Sequence, residues 1–117
     1  MKETRRDRAT PCPRRPRRLG GSRTRGSGRP VRAVPDFTLR SEQYWLLTDP
    51  LNEVLATTTI TPGPGDPWHE PVTSPAVWTR RWGVGRVFVC APGHQLADLE
   101  VPAVRIIIER GLLWASR

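Results

Sequence analysis

At 117 residues the chain has room for one small domain and little beyond it. Its formal charge of +8 points at first to an anionic partner. The charge is uneven, however: residues 1–35 hold 12 Lys+Arg against two acids, and residues 36–117 hold 7 Arg against 9 acids, so the basicity belongs to the tail alone. Two cysteines, Cys12 and Cys90, are too few and too far apart for a disulfide framework, and Cys90 reads as a small buried hydrophobe. No stretch approaches the roughly 18 apolar residues of a membrane span, and the basic N-terminus has no apolar region behind it to make a secretory signal. The expectation is a soluble, cytoplasmic chain.

Residues 1–35 are rich in Arg, Pro, Gly, Ser and Thr and have almost nothing to bury. They are expected to be disordered, because such a segment cannot offset its ordering entropy. Arg14-Arg-Pro-Arg-Arg18 could hold phosphates by counterion release. The segment lacks both aromatic residues and RGG repeats, so a dedicated nucleic-acid role is disfavoured against a plain solvated tail. From Asp36 the composition changes, and residues 36–117 are expected to fold.

Phe37-Thr-Leu39 and Tyr44-Trp-Leu-Leu47 are the first core candidates. Ser41-Glu-Gln43 reads equally as a short helical turn or as extended chain. Asp49-Pro50 marks a turn, and the β-branched run Glu53–Ile60 a strand. Thr61-Pro-Gly-Pro-Gly-Asp-Pro67 breaks regular structure, in a loop expected to reach Pro75. Ala76–Arg80 and Gly85–Ala91 then read as two strands, with Gly83 and Gly85 permitting an antiparallel hairpin. This G-x-G has no third spaced glycine and lies between strands, which excludes a dinucleotide-binding loop. Val101–Ala115 is the clearest helix, with Pro102 in its first turn. Val104, Ile107, Ile108, Gly111, Leu112 and Ala115 share one apolar face, where Gly111 predicts close packing against a sheet.

The run Pro75-Ala-Val-Trp-Thr-Arg-Arg-Trp-Gly-Val-Gly-Arg-Val-Phe-Val-Cys-Ala-Pro-Gly-His94, with Val101-Pro-Ala-Val-Arg105 and Arg110-Gly-Leu-Leu-Trp-Ala115, resembles the C-terminal end of a ThuA-like (trehalose-utilisation) domain. Pro35-Asp-Phe37, Glu42-Gln-Tyr-Trp45, Asp49-Pro50 and Glu53–Thr59 resemble the preceding segment in the same order. The resemblance covers about Pro35 to Arg117. It implies an α/β fold of the class I glutamine amidotransferase-like (flavodoxin-like) kind, a mostly parallel sheet with helices on both faces, and a link to trehalose and related disaccharide metabolism. Family members open with further α/β units that this chain does not carry. It therefore reads as a truncated domain, 36–117, whose tail comes from a misplaced start or a shifted reading frame. A complementing partner or an oligomer could supply the rest.

His94 follows the strand ending near Ala91, and α/β folds gather ligands beyond the carboxyl ends of their strands. The resemblance implies a catalytic histidine at a corresponding place, so His94 is the first candidate for a general acid/base. The bland alternative is a loop histidine packed on Trp78 or Trp82. Glu42 matches an acidic position of the family and could pair with His94; a solvated carboxylate or helix cap is the alternative. Tyr44, with Trp45, could form a sugar-stacking wall or simply core. Trp82 and Arg81 could line a carbohydrate pocket or be ordinary cross-strand residues.

Neither cysteine is a credible nucleophile, since a Cys–His mechanism needs an activated thiolate beside its base. His69-Glu70 with His94 lacks metal-ligand spacing, so no metal is expected, and no cofactor is identified. Whether the chain is an enzyme, and which sugar or other small molecule it would take, is left open by the sequence. The competing reading is a small interaction module whose basic tail binds a polyanion.

Overall fold

The computed structural model describes residues 16–21 and 30–117. In chain order the elements are β1 (Pro16–Gly21), β2 (Phe37–Arg40), β3 (Glu53–Ile60), β4 (Val72–Trp82), β5 (Gly85–Cys90), α1 (Leu96–Glu100) and α2 (Pro102–Ala115). The strands form one sheet in the order β2-β1-β3-β4-β5. Every pairing in it is antiparallel.

The mostly parallel sheet expected from the family resemblance is therefore not what these residues build. Parallel neighbours need a crossover of a dozen or more residues, usually helical. Here β4 and β5 are joined by Gly83-Val84 alone, with Trp82 opposite Gly85. Gly83 has φ +59°, and Val84 is not among the positive-φ residues. That is the pattern of a type II′ hairpin turn, with glycine first. The chain between β3 and β4 contains no helix either, its prolines and glycines preventing one.

Residues upstream of Asp36 also take part in the structure. Residues 16–21, expected within a disordered tail, pair as β1 with both β2 and β3. Residues 30–35 are folded too. Pro30 is buried, Val31 and Val34 pack on the core, and Val34 N–H donates to Val31 C=O at 3.1 Å. Arg110 of α2 donates to the Arg32 carbonyl. Two valines give this stretch the apolar surface that the arginine-rich composition around it conceals. The remainder of the basic tail, with its arginine cluster at 14–15 and Cys12, lies outside the described residues.

Strand β4 starts at Val72, upstream of the expected Ala76, with Pro75 inside it. A proline in a strand interior is tolerated where the ladder is already irregular. The β3–β4 register shows such an irregularity: Ala56 faces Val77, but Thr57 faces Pro75, leaving Ala76 as an extra residue on β4. One step earlier Val54 faces Trp78 and Ala56 faces Val77, which leaves Leu55 as an extra residue on β3. Both extra residues are buried.

Leu55, Ala56, Val77 and Ile107 form the core, with Phe37, Phe88 and Cys90 packed at its margin. Each large aliphatic side chain buried there contributes about 1.5–3 kcal/mol. Helix α2 buries Val104, Ile107 and Gly111. Ile108 and Ala115 are half-buried, but Leu112 is 62% exposed, so the covered stripe is narrower than the periodicity predicts. Arg86 of β5 ties down the far end of α2, donating to the Trp114 carbonyl at 3.1 Å and lying 5.5 Å from the centre of its ring. No helix among the described residues is long and apolar enough to cross a membrane.

Candidate functional site

Two loops on one side of the sheet carry the site. The first leaves β2 with a bend at Ser41 and runs without regular structure through Tyr44, so the helical turn is not formed. Gln43 secures it to β3, its Nε2 donating to Thr58 Oγ1 at 3.0 Å and to the Thr59 carbonyl at 2.9 Å. Farther along, Trp45 meets Trp68 edge-on, with ring centroids 5.0 Å apart and planes at 80°. The turn at Asp49 closes the loop, with Leu51 N–H donating to Asp49 Oδ1 at 2.9 Å. That backbone bond first, and then the Arg80 guanidinium, holds the Asp49 carboxyl below its ordinary pKa.

The second loop, Ala91–Gln95, links β5 to α1, a helix the sequence reading missed. Gly93 has φ +136°, where other residues are strained, and a Cβ there would also have to push aside the Leu99 side-chain tip, 2.9 Å away. This turn presents His94 toward the first loop. His94 Nδ1 lies 3.2 Å from Glu42 Oε2 and 3.2 Å from the Tyr44 hydroxyl. The cluster is half-exposed, at 40% for the histidine side chain and 39% for the glutamate. Beside it is a small cleft walled by Tyr44, Leu39, Pro75, Ala91 and Pro92, with the buried Thr58, bonded to Gln43, also lining it.

An imidazole so placed has a definite chemical use. When Nδ1 carries its proton toward the carboxylate, Nε2 holds the lone pair and can accept a proton from a ligand hydroxyl. The structure thus brings together His94, Glu42 and Tyr44. It does not bring Arg81 and Trp82 to them. Those residues end β4 at the hairpin turn, and the length of β5, about 17 Å at strand spacing, separates that turn from the loop carrying His94. Trp82 is 72% exposed there, with the Arg80 guanidinium 5.2 Å from its ring centre. Both neighbours of His94 Nδ1 are polar, the Glu42 carboxylate and the Tyr44 hydroxyl.

Sequence reasoning missed two further residues, Ser41 and Asp98, which lie beneath the cluster and bond to each other. The only local signal was Gln95-Leu-Ala-Asp98, an acid three residues after a helix start. Glutamine is not among the preferred caps, so the signal was faint.

Among the described residues no group of three His, Cys, Asp or Glu could hold a metal ion. Burial pushes the Cys90 thiol up from 9.0 to about 11. In a Cys12→Ser background its alkylation by iodoacetamide near neutral pH should be slower, by roughly tenfold or more, in the folded protein than in urea. Equal rates would show that Cys90 is accessible and ionised.

The model of the family described as "ThuA: Trehalose utilisation" matches residues 24–115. The match begins upstream of Asp36, in keeping with the folded segment at 30–35. No curated protein and no solved structure matches the chain.

Proposed function

The chain belongs to the ThuA (trehalose utilisation) family, and on that premise we propose that it binds trehalose or a related disaccharide in the cleft beside His94. The observation that carries this reading is the convergence of an imidazole, a carboxylate and a phenol within 3.2 Å contacts at the edge of a mainly apolar cleft. Small-molecule sites combine apolar walls with a few convergent polar groups. A pyranose has matching features, with C–H faces for Tyr44, Pro75 and Pro92 and a rim of hydroxyls for His94. His94 accepts a proton from, or positions, one sugar hydroxyl, and Glu42 steadies the imidazole from its other side. Any chemical step on the bound sugar would begin at that hydroxyl.

Calorimetric titration of the intact chain with trehalose tests this directly. Saturable binding is expected. His94→Ala and Glu42→Gln should each weaken it by roughly tenfold or more, the scale of a lost hydrogen bond to a charged group. Absence of saturable binding to trehalose and to its disaccharide relatives would defeat the proposal. So would full affinity in the His94→Ala protein.

A further inference from the structure

Ser41 and Asp98 are separated by 57 residues and meet in the interior, at 1% and 5% exposure. Ser41 Oγ donates to Asp98 Oδ2, and the Gln95 backbone N–H donates to the same oxygen at 3.1 Å. One buried carboxylate therefore grips both loops of the candidate site. It holds the first through the residue immediately before Glu42, and the second through the residue immediately after His94.

Neither residue belongs to the core of Leu55, Ala56, Val77 and Ile107. A buried carboxylate is a costly way to join two loops that apolar contacts could join. What it adds is direction. Apolar contacts tolerate sliding, whereas two hydrogen bonds converging on one carboxylate oxygen restrict how the two loops can shift against each other. The contacts of His94 Nδ1 with groups from the other loop need such alignment, because hydrogen bonds weaken steeply when misdirected.

We propose that Ser41 and Asp98 are positioning residues that align His94 with Glu42 and Tyr44 through the backbones of the two loops, without touching the ligand. The proposal rests on the reading of His94, Glu42 and Tyr44 as one site.

The chain has a single tyrosine and two histidines, so a nuclear Overhauser contact between the Tyr44 and His94 rings is readily assigned. It would be measured in the intact wild-type chain and in Ser41→Ala, Asp98→Asn and Ser41→Thr, together with trehalose affinity. Expected are dispersed amide spectra throughout, loss of most of the ring–ring contact in Ser41→Ala and Asp98→Asn, and recovery in Ser41→Thr, which keeps the hydroxyl. Trehalose affinity should fall and recover in step. Full contact in both Ser41→Ala and Asp98→Asn would overturn the proposal and leave the site intact. Loss of the folded spectrum in both would also overturn it, making the pair a folding element. No contact in the wild-type chain would remove the site itself, and the proposal with it.

Discussion

Gly111→Ala is expected to destabilise the chain by about 1–3 kcal/mol, the usual cost of overpacking. Helix propensity argues the opposite way, since alanine in a helix interior is better than glycine by about 1 kcal/mol. Packing wins because Gly111 is where α2 meets β5: an added Cβ would fall within the Phe88 ring. Phe88 is only half-buried but borders the core, so its ring can yield only by pulling away from the residues it covers. Urea denaturation followed by tryptophan fluorescence provides the measurement. The cost should shrink when Phe88→Leu is introduced as well, giving a coupling that two independent sites would lack. A midpoint raised by Gly111→Ala would mean that α2 does not lie this close to the sheet.

The second large effect is expected at Asp98. Asp98→Ala leaves the Ser41 hydroxyl and the Gln95 backbone N–H without their acceptor. An orphaned buried donor costs about 1–3 kcal/mol, and water entering the vacated space recovers part of it, so a loss of about 3 kcal/mol is expected. The effect has a pH signature. Burial raises the Asp98 pKa, but the Ser41 hydroxyl, the Gln95 and His94 N–H groups and the nearby imidazole outweigh it, leaving the pKa below the ordinary 3.8. A carboxyl depressed on folding stabilises the native state above its unfolded pKa, and that contribution is lost as pH falls through the folded value. The stability gap between wild type and Asp98→Ala should therefore be full near neutral pH and narrow as the solution is acidified below about pH 4. A gap independent of pH would show that the carboxylate's charge contributes nothing.

What could be read in the sequence and what could not differ in the range of the interactions involved. Strands β3 and β5 and helix α2 were legible because each is specified locally, by β-branched residues, a glycine turn, or apolar spacing with Pro102 at the helix start. His94 and Glu42 were legible as candidates only through the family resemblance. Their approach to within 3.2 Å depends on how two loops fold across the sheet, and no local pattern encodes that. Helix α1 is one turn long, too short for periodicity to register. Strand β1 was hidden because Pro16-Arg-Arg-Leu-Gly-Gly21 has the composition of a linker, and its pairing with β2 and β3 rests on backbone hydrogen bonds that any sequence can make. Pro75 was read as a strand terminator because a bulge that tolerates proline shows only in the paired register.

The two extra residues, Leu55 and Ala76, cancel one another. Strands β3 and β4 each spend one additional residue between the Val54–Trp78 and Thr57–Pro75 pairs, so the ladder leaves in the same phase in which it entered. Leu55 and Ala56 are both buried, as are Ala76 and Val77, so each extra residue doubles an inward position and the in–out alternation resumes unchanged beyond it. In descendants of this sequence, either strand can shed its extra residue by itself, since the side chains beyond it keep their present faces.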